Sequence, residues 1–277
     1  MKKILFPTDF SKTSLNAFVY ALHFAKHTDA EIIVLHVYEL PIIDTNYNEA
    51  PIYLSQIYDT IDLDKFENFK DQVPVLRSIA EENQLGEVKM SNVMLEGSLV
   101  NNILHVVEKE EVDYVVMGTH GAEGFQEILG GSMTSKIMLN TKAKVLGVPA
   151  ESEYVAIKRI VFTIKFAEED IVALKNVTEI AKAFNAHIDC LHVKSPKSKF
   201  DLKVLTDWEI MFEDENVDFH IIESDEVEAS VMDFVNTHRS NLLAVLNHKR
   251  GFFESIFHSS LTKKLAFHSK TPLLVLH

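Results

Sequence analysis

Lys3-Ile-Leu-Phe-Pro-Thr-Asp-Phe-Ser11 and Arg159-Ile-Val-Phe-Thr-Ile-Lys-Phe-Ala167 open two stretches that begin alike, 156 residues apart. The same offset carries Leu35-His36-Val37 onto Leu191-His192-Val193. A second offset, 128, carries Asp113-Tyr-Val-Val-Met-Gly-Thr-His120 onto Asn241-Leu-Leu-Ala-Val-Leu-Asn-His248, and Gly131-Ser-Met-Thr134 onto Ser259-Ser-Leu-Thr262. One fold is written twice, and only the first copy keeps its glycines. The asymmetry separates a half suited to hold a ligand from a half suited to hold a shape.

Ile4–Pro7 is a short apolar run punctuated by Pro7 and Asp9, which reads as a buried parallel strand. Ser11 is a fair helix cap, and Leu15, Val19, Leu22 and Ala25 then recur at helical spacing, so residues 12–27 read as an amphipathic helix. Glu31–Tyr38 reads as a strand, Asp64–Asn83 as a helix that Pro74 should kink or divide, and Glu87–Leu95 as a third strand. Leu99–Glu110 follows as a helix, Asp113–Met117 as a strand, Gly131–Asn140 as a helix and Ala143–Val148 as a fifth strand.

The apolar runs are too continuous for one face to be wet, so the expected fold class is α/β, a parallel sheet covered by helices on both sides. The second half repeats the scheme, with strands near 158–164, 187–193, 217–222, 241–246 and 271–276. The expected division is 1–150 and 157–277, joined by a short linker at Glu151–Ala156. The fall in offset leaves the first copy 28 residues longer between Val37 and Asp113. Most of the excess is assigned to Leu40–Leu63, whose prolines, tyrosines and asparagines read as a surface excursion; its aromatics also suit a lid or a partner contact.

Net charge is −14 over 277 residues. Residues 1–150 carry 12 basic and 21 acidic side chains and the remainder 15 and 20, so neither half is built to grip a phosphate backbone, and no nucleic-acid partner is expected. One cysteine, Cys190, excludes an internal disulfide framework and reads as a small buried apolar residue. Only Ile4-Leu5-Phe6 separates the basic start from Pro7, too little for a signal-peptide apolar region, and no run reaches the roughly eighteen residues of a membrane span. A cytoplasmic chain without a membrane partner is expected.

The chemistry is carried by Gly118-Thr-His-Gly121, nine residues, then Gly131-Ser132. The pattern G-x2-G-x9-G-[ST] suits phosphate. Gly118 lets the chain leave the strand tightly, Gly121 supplies a free turn, and Gly131 brings bare backbone against a ligand. Ser132 then caps a helix whose first N–H groups point at an anion. Neither G-x-G-x-x-G after a strand nor a G-x4-G-K-[ST] loop occurs, which argues against a dinucleotide dehydrogenase and a P-loop NTPase. His36 and His192 read as satisfied core histidines, and no His/Cys/Asp cluster at metal spacing is visible, so no structural metal site is expected.

Ile4-Leu-Phe-Pro-Thr-Asp9-Phe-Ser11, Leu35-His-Val37, Met117-Gly-Thr-His-Gly121 and Gly131-Ser132 stand in the order of a known family. The chain resembles the universal stress proteins in their tandem two-domain form. The resemblance implies two Rossmann-like domains (adenine nucleotide alpha hydrolase-like), each a five-stranded parallel sheet in the order 3-2-1-4-5. It implies ATP with Mg²⁺ or Mn²⁺ in the first copy, with Asp9 and the Val37 backbone at the adenosine end and Gly118, His120 and Gly121 along ribose and phosphate. Gly131, Ser132, Met133 and Thr134 would cradle the phosphates, and Pro7, Thr8 and Met117 complete the set.

In the second copy Asp9 becomes Lys165, Gly118 becomes Leu246, Gly121 becomes Lys249 and Gly131 becomes Ser259, so side chains fill the gaps through which backbone would approach a ligand. Ser260 and Thr262 keep the hydroxyls of a helix cap, and Lys165, Lys249 and Arg250 leave room for a different anion. The expected function is an ATP-binding stress or signalling regulator with an unknown protein partner. The alternatives are a slow ATPase and a nucleotide-free scaffold. No general base or arginine finger accompanies the loop, which weighs against an enzyme. The short fifth strands are expected to pair antiparallel within the chain, as in a homodimer of single-domain members.

Overall fold

A computed structural model of the chain describes residues 1–40, 51–119, 133–197, 200–247 and 271–277, with backbone alone for 51–59 and 133–135. The first copy runs β1 (Lys2–Pro7), α1 (Lys12–Thr28), β2 (Ala30–Tyr38), α2 (Pro51–Glu82), β3 (Met90–Glu96), α3 (Leu99–Glu110), β4 (Tyr114–Gly118), α4 (Met133–Asn140) and β5 (Lys144–Val148). The second runs β6 (Arg159–Thr163), α5 (Glu168–Phe184), β7 (His187–Lys194), α6 (Leu202–Met211), β8 (Val217–Glu223), α7 (Val227–Thr237), β9 (Leu242–Leu246) and β10 (Leu273–Leu276).

The ten strands among the described residues form one sheet, β3-β2-β1-β4-β5-β10-β9-β6-β7-β8. Each copy therefore carries the order 3-2-1-4-5, and the sheet is parallel except where β5 meets β10 antiparallel, Leu146 facing Leu274. Both sequence offsets survive in the register. Lys3 faces Glu31 as Arg159 faces His187, and Ile4 faces Tyr114 as Ile160 faces Leu242.

Alternation along β1 divides the core. Ile4 and Phe6 point to the layer holding Phe18, Leu22 and Phe24 of α1 and Leu76 of α2, while Leu5 points to the layer holding Ile103 of α3 and Ile137 of α4. Each fully buried side chain of this size contributes about 1.5–3 kcal/mol. The copies also meet through their helices, Phe24 of α1 lying 4.9 Å from Phe184 of α5, centroid to centroid.

The linker is docked, not slack. Ser152 is buried with its hydroxyl 2.8 Å from Tyr20 Oη, Asn16 Nδ2 donates to the Ser152 carbonyl at 2.6 Å, and Tyr154 stacks on His23 at 3.7 Å.

Three expectations change. Residues 51–63 are helical, so apart from 41–50, which lie outside the described residues, the extra length is the long α2, 32 residues against 10 in α6. Proline at the first position of α2 fits the helix start. Pro74 does not divide α2: it and Lys70, whose carbonyl loses its donor, are both exposed, so water can serve that carbonyl while Phe69, Leu76 and Ala80 anchor the helix. The third strand starts at Met90 and not Glu87, because the buried Leu85 and Val88 close a turn instead, Val88 N donating to Leu85 O at 3.1 Å. Among the described residues no helix is long and apolar enough to cross a membrane.

Candidate functional site

In the order 3-2-1-4-5 the chain leaves β1 toward β2 and leaves β4 toward β5, on opposite sides. The carboxyl ends of β1 and β4 thus form the crevice where such sheets bind ligands. Pro7, Thr8 and Asp9 end β1 there, and Met117 and Gly118 end β4.

The turn out of β1 is heavily braced. Thr8 is buried; its Oγ1 accepts the Phe10 N–H at 2.9 Å and lies 3.0 Å from Ser14 Oγ. Phe10 sits in the left-handed region at φ 58, a strained conformation for a bulky residue. Ser11 caps α1, its Oγ accepting from Ser14 N at 3.3 Å, and the exposed Asp9 carboxylate accepts the Ser11 N–H at 3.0 Å. His36 Nδ1 lies 2.9 Å from the Thr8 carbonyl. Tyr38, at the end of β2, donates to Asp62 of α2 and so ties that helix to the same rim; the bond pushes the phenol up to about 12.

Thr8 and Asp9 thus both brace this turn, Thr8 from within the core and Asp9 with its carboxylate exposed at the rim. Met117 is buried in the core, so only its backbone faces the crevice. Gly118 has a second reason to be glycine: a Cβ there would lie 2.9 Å from Thr13 Cγ2 and 3.2 Å from the Thr13 carbonyl oxygen, so α1 packs against it. The Val37 backbone lies in β2 opposite Leu95. Met133 and Thr134 open α4, whose first turn follows the glycine-rich loop directly. His120, Gly121, Gly131 and Ser132 lie outside the described residues, as do His248, Lys249, Arg250, Ser259, Ser260 and Thr262.

The corresponding crevice of the second copy is a small, mostly apolar cleft lined by Thr163, Ile164, Lys165, Leu191, Val193, Val227, Val231 and Leu246. Lys165 stands where Asp9 stood, and the Leu246 side chain occupies the place of Gly118. Its turn is braced differently: buried Asp170 accepts the backbone N–H groups of Lys165 at 2.7 Å and Ala167 at 3.0 Å, replacing Ser14. Phe166 repeats the left-handed Phe10 at φ 59.

The family model of the universal stress protein family matches residues 1–149. The chain belongs to the universal stress proteins. Universal stress protein MJ0531 of Methanocaldococcus jannaschii is 32% identical over 146 residues, covering 52% of this chain and 80% of its own length. A second protein of that organism, universal stress protein MJ0577, is 29% identical over 155 residues and is covered over 93% of its length. A crystal structure of a universal stress protein from Archaeoglobus fulgidus superposes over 99% of this chain and 95% of its own, with TM-score 0.73 and 19% identity, a likeness of fold. The tandem arrangement of this universal stress protein accords with that whole-chain match.

One cluster was not visible as a motif. His187, Asp189 and Asp218 bring ligand-type atoms within 4.8 Å of one another, contrary to the expectation of no metal-spaced set. His187 and Asp189 are two apart on β7 and share a face, and the parallel register sets Asp218 beside Asp189. An H-x-D on one strand and D-x-H on the next was the available signal; only the register joins them.

Proposed function

We propose that this universal stress protein is an adenine-nucleotide-binding regulator that takes one ATP in the first copy, residues 1–150, with 157–277 as a degenerate companion. The observation that carries the reading is the contrast between equivalent crevices. One presents the Asp9 carboxylate and the bare backbone of Gly118; the other presents the Lys165 ammonium and the Leu246 side chain. A carboxylate at a strand end is an acceptor for sugar hydroxyls or base amino groups, which an ammonium and a leucine side chain at the same places are not. At Gly118 the space of the missing side chain is taken by Thr13 of α1, so it is the backbone of the strand end that meets the crevice.

The described residues fit the adenosine end of such a ligand: Pro7, Thr8, Asp9, Val37, Met117 and Gly118 would hold it. The phosphates would lie on His120, Gly121 and Gly131–Thr134, at the start of α4, where backbone N–H groups favour anions. A bound Mg²⁺ or Mn²⁺ would neutralise phosphate charge. The second copy covers the edge of β5 with β10, leaving the nucleotide to bias conformation or the choice of a protein partner.

The test is the small-molecule content of the purified protein. Denaturing it and identifying released compounds by mass spectrometry should return an adenine nucleotide at up to one per chain. A wild-type protein that releases none and takes up none when incubated with ATP contradicts the reading. Phosphate release under turnover separates a regulator from a slow ATPase.

A further inference from the structure

We propose that the second copy holds a divalent transition-metal ion, Zn²⁺ in class, on His187, Asp189 and Asp218, away from the nucleotide crevice. Asp189 occupies the register position of Ile33 in the first copy, so a carboxylate stands where the repeat has a core aliphatic. Its side chain is only 2% exposed, and burying a charge there needs compensation. Arg159 Nε is 3.4 Å from Oδ2 and His220 Nε2 is 2.9 Å from Oδ1.

His187 is the informative member. Its Nδ1 lies 2.9 Å from Asn216 Oδ1, and Asn216 Nδ2 donates to the Ala186 carbonyl at 3.4 Å. The amide is thereby oriented with its oxygen toward the ring. That oxygen can only accept, so Nδ1 carries the hydrogen. In the neutral ring Nε2 then bears a bare lone pair. It is buried without a hydrogen-bond partner and faces Asp189 Oδ1 at 3.4 Å and Asp218 Oδ2 at 3.3 Å.

A lone pair set against two carboxylates is unfavourable unless positive charge lies among them. Donor atoms about 2.0–2.2 Å from one ion in tetrahedral geometry stand roughly 3.3–3.5 Å from each other. The two distances from His187 Nε2 match this, and all three ligand atoms lie within 4.8 Å of one another. Imidazole with carboxylates suits zinc and its neighbours. Asn216 is the partner that fixes the metal-binding tautomer, and His220 orients Asp189. Asp218, 68% exposed, leaves an entry path from solvent and room for a water as fourth ligand. The first copy has Glu31, Ile33, Ser91 and Val93 at the positions of His187, Asp189, Asp218 and His220, so one ion per chain is expected.

The test uses the full chain after dialysis against a chelator. Calorimetric titration with Zn²⁺, and visible absorption with Co²⁺ as the spectroscopic probe, should give one site per chain with the bands of tetrahedral cobalt. Asp218→Asn, at an exposed position that leaves folding intact, should weaken binding at least tenfold. His187→Gln should do the same, and Asn216→Ala should cost about 10–100-fold. No bound Zn²⁺, or full-affinity binding retained by both Asp218→Asn and His187→Gln, overturns the site. An imidazolium among the two carboxylates, with no ion, would give the first of these results. The outcome is independent of ATP, because no ligand here lines the nucleotide crevice.

Discussion

His36 of β2 donates its Nδ1 hydrogen to the carbonyl oxygen of Thr8 across 2.9 Å, and His192 repeats the bond to Ile164 at the same distance. In each copy the first strand has just left the ladder there, and the histidine satisfies a carbonyl that strand pairing would otherwise have used. The pair of bonds explains why Leu-His-Val is kept in both copies although Asp9 and the glycines are not. Replacing His36 by leucine leaves a half-buried carbonyl without its donor, at about 1 kcal/mol. Urea denaturation of His36→Leu should show that loss with ATP affinity also reduced, because Thr8 begins the crevice. A variant as stable as wild type would remove the bond from the account.

Gly118 should be intolerant of even one methyl group. A Cβ 2.9 Å from Thr13 Cγ2 pushes α1 off β4, an overpacking cost of about 1–3 kcal/mol for Gly118→Ala. Thr13→Ala removes the nearer clash, so the double variant should recover part of the loss. Strict additivity in a double-mutant cycle would mean that the glycine serves something other than helix packing.

The strand pair β5–β10 joins the copies, and Leu274 is fully buried with neighbours on both sides, Leu146 and Ala244. Leu274→Pro removes a ladder donor from an interior strand and should cost about 3 kcal/mol or more. Chemical denaturation should show it, together with greater self-association on sizing columns as the β5 edge becomes free. A monomeric variant of unchanged stability would contradict the pairing.

Much of this architecture was readable from residues alone, for reasons that can be named. Ile4–Pro7 and Tyr114–Gly118 are central strands buried on both faces, so their apolar runs are unbroken, and the offsets transferred them to the second copy. The edge strand β3 has mixed exposure, and Leu85 and Val88 are core residues held in a turn, so periodicity misplaced its start. Pro51 and the tyrosines after it resemble a loop, while packing downstream at Phe69 and Leu76 sustains a helix. The clash that forbids a side chain at Gly118 and the meeting of Asp189 with Asp218 depend on the third dimension, which no local spacing encodes.

His23 makes the molecule acid-sensitive. Burial, with His27 nearby, lowers its pKa from 6.5 to about 4, so the folded protein keeps the ring neutral against Tyr154. The unfolded chain takes up that proton as pH falls through 6.5, and the folded one only near 4. The stabilisation is therefore complete above pH 6.5 and lost between 6.5 and 4. After allowance for half-burial the loss is about 1–2 kcal/mol. Melting curves of His23→Phe, which keeps the stack, should be flatter over this interval than those of the wild type. Parallel pH profiles would exclude His23 as the source.

Calorimetric titration of the whole chain with Mg²⁺–ATP tests the central claim most directly. One site per chain is expected, lost in a folded Gly131→Val variant, weakened in Asp9→Ala and unaffected by Lys165→Ala in the second copy. Two equivalent sites, or undiminished affinity in folded Gly131→Val, would contradict it.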